Sequence, residues 1–106
     1  MSTNSTNVLA QGIEIIGSIT FQNDMHIDGK IDGEIFSESG KVTIGELADI
    51  KGNIRAGEVH VYGRVDGNVD STRCHLNDHA VVNGNITTSV LSMVEGAKLS
   101  GRAEIG

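Results

Sequence analysis

Apolar and polar residues alternate along most of this chain, and the alternation belongs to a longer repeat. The stretch MHIDGKIDGEI, residues 25–35, returns 34 residues later as VHVYGRVDGNV, residues 59–69. In both copies apolar residues occupy places one, three, seven and eleven, and glycine occupies places five and nine. Alternation with a period of two is typical of β-strands that bury one face. Its recurrence predicts stacked copies of one small structural unit.

The most regular part of the repeat has an apolar residue two places before and two places after a glycine. It occurs six times, with glycine spacings of 16, 19, 15, 17 and 17 residues, at Gly17, Gly33, Gly52, Gly67, Gly84 and Gly101. A unit of about 17 residues is too short for a propeller blade or a helical repeat. The pattern therefore predicts an all-β, single-domain β-solenoid of about six coils, triangular in cross-section, without a long helix.

Stacking these coils in register gives four ladders of inward-facing apolar residues, which form a core that no single coil can bury alone. The ladders are Met25, Val42, Val59, Cys74 and Leu91; Leu9, Ile27, Ile44, Val61, Leu76 and Met93; Ile15, Ile31, Ile50, Val65, Val82 and Leu99; and Ile19, Ile35, Ile54, Val69, Ile86 and Ala103. Four coils have a longer corner, where Ile13, Ala48, Ala80 and Ala97 are also expected to turn inward.

Length, charge and composition limit the partners and the cellular location that this chain can have. The chain has 106 residues and a net charge of −6 without a basic block, which disfavours nucleic acid as a partner. We expect a disordered polar tail at residues 1–7 and the solenoid domain at 8–106. The single cysteine, Cys74, lies at an inward place and is interpreted as a buried hydrophobe. No signal peptide and no apolar run near the ~20 residues of a membrane span is present, which points to the cytoplasm.

The residues that usually carry chemistry do not form a site in this pattern. His26, His60 and His75 share an outward column with Thr43 and Ser92, and we interpret them as a solvated ladder because zinc needs three or four converging ligands. The acidic stretch DGKIDGE lacks the ligand order of an EF-hand. No phosphate-binding glycine motif is found. The sequence therefore predicts no catalytic residue, no metal and no cofactor.

The two ends of the solenoid are the feature that indicates a function. A β-solenoid ends in unpaired backbone groups and an uncovered core, and neither end has residues left over for a cap. Such an apolar edge predicts polymerisation with a second copy of the chain. The candidate interface consists of Leu9, Ile13, Ile15, Ile16, Ile19 and Phe21 in the first coil and of Leu91, Met93, Leu99, Ala103 and Ile105 in the last.

The sequence resembles the bactofilins, over about residues 8–105. The segments that carry the likeness are GIEIIGSITFQNDMHIDGKIDGEI, VHVYGRVDGNV and LSMVEGAKLSGRAEI. The resemblance implies a right-handed β-helix that assembles end to end, without nucleotide, into non-polar bacterial cytoskeletal filaments in which like ends meet. It also implies cell-wall or morphogenesis proteins as further partners. The family's terminal contact usually includes an aromatic residue where this chain has Leu99, which implies a somewhat weaker interface.

A position at the inner face of the cell membrane is open on this resemblance, but MSTNSTN has neither the apolar nor the basic residues of the family's membrane-targeting piece. Two other functions remain as alternatives. KVTIGELADIKGNI resembles part of the hexapeptide repeat of β-helix acyltransferases, but that class needs a regular six-residue step and a histidine on a projecting loop. A passive solenoid that binds another protein is the third hypothesis, and a stable monomer would favour it.

Overall fold

The computed structural model describes residues 6–9, 12–21, 24–38 and 40–105, with side chains from residue 12 onward. These residues form strands, turns and bends and include no helix. The strands are β1 (Thr6–Leu9), β2 (Glu14–Thr20), β3 (Asp24–Ile27), β4 (Lys30–Phe36), β5 (Lys41–Ile44), β6 (Asp49–Lys51), β7 (Ile54–Val61), β8 (Arg64–Asp66), β9 (Val69–Leu76), β10 (Val81–Asn83), β11 (Ile86–Met93), β12 (Lys98–Ser100) and β13 (Ala103–Ile105).

The strands stack as parallel rungs on three faces of a solenoid. Face A contains β1, β3, β5 and the second halves of β7, β9 and β11. Face B contains the first halves of β2 and β4, then β6, β8, β10 and β12. Face C contains the second halves of β2 and β4, the first halves of β7, β9 and β11, and β13. Each face thus has six rungs, and about five turns of the chain separate the first rung from the sixth, slightly fewer than the six coils predicted.

The register confirms all four predicted ladders. On face A, for example, Met25 pairs with Val42, which pairs in turn with Val59. Both valines are fully buried, as are most ladder residues of the middle rungs. Aliphatic side chains on successive rungs lie about 4.8 Å apart, so each one covers its neighbour. The core therefore runs continuously along the solenoid axis, as expected from the alternation.

A column of glycines turns the chain between faces B and C. All six predicted glycines have positive φ, from 129° at Gly17 to 150° at Gly33. A Cβ atom at Gly52 would lie 1.8 Å from the carbonyl oxygen of Gly33 on the preceding rung, and the later glycines of the column repeat this approach. Only glycine lacks the Cβ that would separate the rungs here. The repeated glycine is therefore what allows this corner to stack at the spacing of a sheet.

The structure refines the limits of the first coil. β1 already includes Thr6 and Asn7, which the sequence analysis assigned to the tail, and Asn7 pairs with Met25. The rest of the predicted tail, residues 1–5, lies outside the described residues. On the longer corners Ala48 and Ala80 are buried as predicted, whereas Ile13 at the equivalent place is exposed. Ile13 differs because no rung precedes its own among the described residues.

Candidate assembly surfaces at the two ends

Backbone groups at both ends of the solenoid lack a strand partner among the described residues. β1 pairs only with β3, and β2 pairs only with β4. At the other end, β12 pairs only with β10 and β13 only with β11. Strand edges of this kind present a row of free N–H and C=O groups to any chain that can extend the sheet. Both ends therefore offer the same type of hydrogen-bonding edge, on more than one face.

The first rung places the predicted N-terminal residues in three different settings. Ile13 is exposed on the corner between faces A and B, and Ile15 and Ile19 are half-buried ends of inward ladders. These three form apolar surface at the end of the core. The side chain of Leu9 lies outside the described side chains, although its backbone pairs with Ile27.

Ile16 and Phe21 occupy positions that the sequence analysis did not distinguish. Ile16 is 79% exposed and points outward from face B, in a column that continues with Asp32 and Lys51. It therefore lies on the flank of the first rung and not on the end of the core. Phe21 is only 6% exposed, because it turns inward one step after the outward Thr20. Its ring fills the core at this corner and leaves little surface for a contact with another chain.

The last rung exposes several apolar side chains at the end of the core. Met93 is 44% exposed and Ile105 is 60% exposed, and Ala103 is exposed beside them. Leu91 and Leu99 are half-buried, since the preceding rung covers one side of each. The five predicted residues thus share one end of the core, where no further rung covers them within the described part of the chain.

Two exposed valines of this rung were missed in the sequence. Val90 is half-exposed in an outward column whose previous members are Glu58 and Arg73, and Val94 is similarly exposed just after Met93. The signal for Val90 was present, because an apolar residue replaces charged ones when the repeats are aligned. The direction of the side chain alone does not reveal it, because outward positions face solvent on the middle rungs as well.

Charged residues in outward columns alternate in sign from rung to rung. On face A the column runs Asp24, Lys41, Glu58 and Arg73 before it reaches Val90. Opposite charges directly across adjacent strands attract one another, whereas like charges repel. The alternation therefore favours the observed register and disfavours a slip by one rung. In this column it ends at the last rung, where Val90 is apolar.

The predicted histidine column is present, and Glu58 of the adjacent column contacts it. His60 and His75 stack on face A with ring centroids 4.5 Å apart and planes 21° apart. An imidazole N–H of His60 donates a hydrogen bond to the carboxylate of Glu58 in the adjacent column. This bond lowers the pKa of Glu58 below its usual value, with smaller contributions from the positive charge of nearby groups such as Lys41. His26 forms a similar bond of 2.9 Å with Asp28, but Thr43 lies opposite it.

An open groove of about 640 Å³ runs along the corner that joins faces C and A. Serine and threonine side chains of three rungs line much of it, and Ser71 and Thr88 are buried there, with their hydroxyls 3.4 Å apart. The lining contains no histidine, lysine or cysteine. No acyl-transfer site of the kind considered above is formed by these residues.

Comparisons with known proteins agree with this geometry. The family model for bactofilins, described as polymer-forming cytoskeletal proteins, matches residues 7–104. The solid-state NMR structure of the cytoskeletal bactofilin BacA is 31% identical and superposes with a TM-score of 0.85, covering 94% of this chain and 95% of its own. The cryo-EM reconstruction of Thermus thermophilus bactofilin double helical filaments is 21% identical and has the same fold, with a TM-score of 0.90 over 94% of this chain and 99% of that one.

No curated protein matches the chain. Within the described residues there is no helix with the length and apolar character needed to cross a bilayer. The family match extends over nearly the whole sequence, and the solved relative at 31% identity covers nearly the whole fold. This chain therefore belongs to the bactofilin family of polymer-forming cytoskeletal proteins.

Proposed function

We propose that the chain is a bacterial cytoskeletal scaffold that polymerises through the ends of its solenoid, without nucleotide. The observation that carries this proposal is the coincidence, at each end, of unpaired strand edges and exposed apolar side chains such as Ile13 and Ile105. Burying apolar surface gives the free energy of association, and pairing of the strand edges gives it direction. The flanks of the middle rungs carry charged columns that do not offer this combination.

The distribution of charge supports junctions between like ends. The last turn contains two basic residues, Lys98 and Arg102, and two acidic ones, Glu95 and Glu104. When two copies meet about a two-fold axis, the same surface faces itself, so a surface with both signs can complement its own copy. Filaments built from alternating junctions between like ends have no overall polarity, as the family resemblance implies.

The cellular role follows from the polymer. We place the scaffold in the cytoplasm, where it would recruit cell-wall or morphogenesis proteins along its flanks or attach to the inner face of the membrane through a partner. The alternative of an acyltransferase has no support in the groove described above. Membership of a polymer-forming cytoskeletal family favours a non-enzymatic role.

Substitution of one exposed residue at each end tests both the assembly and its polarity. Ile105→Arg and Ile13→Arg place a charge at the last and first rungs, and Leu47→Arg is the matched control, because Leu47 is as exposed as Ile105 but lies on a corner of the third rung. Purified proteins without nucleotide would be imaged by negative-stain electron microscopy and sized by light scattering, with circular dichroism to confirm folding.

The pattern of species separates the possible outcomes. Contacts between like ends predict that each single end variant stops at dimers, that the double variant is monomeric, and that Leu47→Arg forms normal filaments. Head-to-tail contacts predict that either single variant is monomeric. Normal filaments from the double variant would contradict assembly through the ends, and a wild-type protein that stays monomeric at high concentration would favour a passive binding module.

A further inference from the structure

We infer that Glu58, His60 and His75 form a binding site for one transition-metal dication on face A. The three side chains each offer one donor atom, and these atoms all lie within 4.8 Å of one another. This inference does not depend on the proposed assembly, because the site lies on the fourth and fifth rungs and contains no residue of a terminal rung. The histidine column alone supplies two adjacent donors, and Glu58 adds a third from the neighbouring column.

The backbone explains why the three donors converge. Glu58 and His60 are two residues apart on β7, so their side chains leave the same face of the sheet. His75 lies directly opposite His60 on β9, where cross-strand side chains are in contact. Three donors at the corners of a small triangle are thus held by two hydrogen-bonded strands. Ligand atoms around tetrahedral zinc are roughly 3.3 Å apart for bonds of 2.0–2.1 Å. The stacked imidazole planes of His60 and His75, 21° apart, must therefore tilt toward a common ion to close this triangle.

The surroundings of the three side chains are partly protected from solvent. The side chain of His60 is 19% exposed and that of Glu58 is 33% exposed. The hydrogen bond between them fixes the orientation of the His60 ring, and bound metal would take the place of the shared proton. Two donors that already contact one another lose less conformational entropy when an ion binds.

The charged neighbours limit the strength of the site. Lys41 and Arg73 flank Glu58 in its own column, one on the rung before and one on the rung after. Both repel a dication, and neither can act as a ligand while it is protonated. Water completes the coordination sphere, because three protein ligands leave at least one position open. These features describe a site of moderate affinity that does not hold the fold together.

The donor types decide which ions fit. Two imidazoles and one carboxylate suit Zn²⁺, Ni²⁺ and Cu²⁺, whereas Mg²⁺ and Ca²⁺ prefer sites made of oxygen alone. An ion bound here would connect β7 to β9 by side-chain ligands in addition to their backbone bonds. It would therefore stabilise the middle of the solenoid against separation of its fourth and fifth rungs.

The test uses the purified full chain, freed of metal by a chelator and titrated with zinc chloride in a calorimeter at pH 7.5. We expect one ion per chain and a rise in Tm on addition of zinc. His60→Asn and His75→Asn should each weaken binding at least tenfold, and Glu58→Gln should weaken it to a smaller degree. His26→Asn is the matched control and should bind as the wild type does, because His26 has a carboxylate partner in Asp28 but has Thr43 opposite it on the next rung in place of a second histidine.

Melting curves without metal show whether each variant is still folded, so that lost binding can be attributed to a lost ligand. Zinc binding of undiminished affinity in His75→Asn would overturn the inference, since it would place the ion elsewhere. Equal weakening by His26→Asn would overturn it as well. Absence of a saturable heat in the wild type at millimolar zinc would show that the three side chains form only a hydrogen-bonded stack.

Discussion

The glycine column provides a direct test of how the solenoid is held together, and Gly52→Ala is the informative change. Gly52 has a φ of 136°, and a Cβ atom there would lie 1.8 Å from the carbonyl oxygen of Gly33. Gly17→Ala is its matched control. Gly17 has a similar φ of 129°, but it begins the column, and no described atom lies within 4 Å of its added Cβ.

The two substitutions share one cost and differ in another. Forcing alanine into this backbone region costs about 1–3 kcal/mol in either position. At Gly52 the second and third rungs must also part, which breaks the 2.9 Å hydrogen bond from Ile35 N to Asn53 O and disturbs the adjacent pairing of Asp32 with Lys51. Two lost backbone bonds at about 1 kcal/mol each add about 2 kcal/mol. We therefore expect a loss of about 4 kcal/mol for Gly52→Ala and about 2 kcal/mol for Gly17→Ala.

Urea unfolding followed by circular dichroism measures this difference, in the Ile105→Arg, Ile13→Arg background so that assembly does not add to stability. A gap of about 2 kcal/mol corresponds to roughly 8–16 °C in Tm for a domain of this size. Equal losses for the two alanines would refute the reasoning, because they would show that backbone strain alone, and not contact between rungs, requires glycine in this corner. A Gly17→Ala protein that is less stable than Gly52→Ala would refute it more strongly.

Three buried or half-buried residues give further predictions. Burial raises the pKa of the Cys74 thiol to about 11 from an ordinary value of 9.0, so the thiol should resist alkylation at pH 8 until the protein unfolds. Since the unfolded thiol ionises first, its contribution to stability should be lost between pH 9 and pH 11, and Cys74→Ala should remove that part of the pH dependence in urea titrations. Val65→Ala, at a fully buried ladder position, should cost about 2 kcal/mol, whereas Val81→Ala, which is half-buried in an outward column, should change stability by less than about 0.5 kcal/mol. Similar losses for both valines would contradict the assignment of inward and outward positions.

The core was predictable because the repeat determines both the direction of each side chain and the position of each strand in its coil. Alternation fixes which residues of a strand face inward, and the recurrent glycine fixes where each strand sits in the coil. Ile31, Ile50 and Val65 stack as expected because each lies two places before a glycine of the column. A register shift of one residue would have placed a charged neighbour in the core, at a cost of several kcal/mol.

The ends were less predictable because the repeat says which way a side chain points but not what covers it. Phe21 and Ile16 were assigned to the exposed end on position in the first coil alone. Continuing the alternation from Ile19 makes Phe21 an inward residue, and continuing it from Ile15 makes Ile16 an outward one. The signal was therefore present for direction. The degree of exposure, by contrast, depends on the neighbouring rung, which the terminal coils lack on one side.

The outward columns suggest why association should be confined to the ends. The column that begins with Ile16 continues through Asp32, Lys51 and Asp66, and the column that ends with Val90 is charged on the four rungs before it. Charges on the flanks must be desolvated before another solenoid can pack beside them, which costs free energy unless each charge finds a partner. The apolar residues occupy the terminal rungs of these two columns, next to the unpaired strand edges. A second copy that extends the sheet therefore buries apolar flank and apolar core together, whereas a copy that approaches these columns from the side meets charges of both signs that it must desolvate.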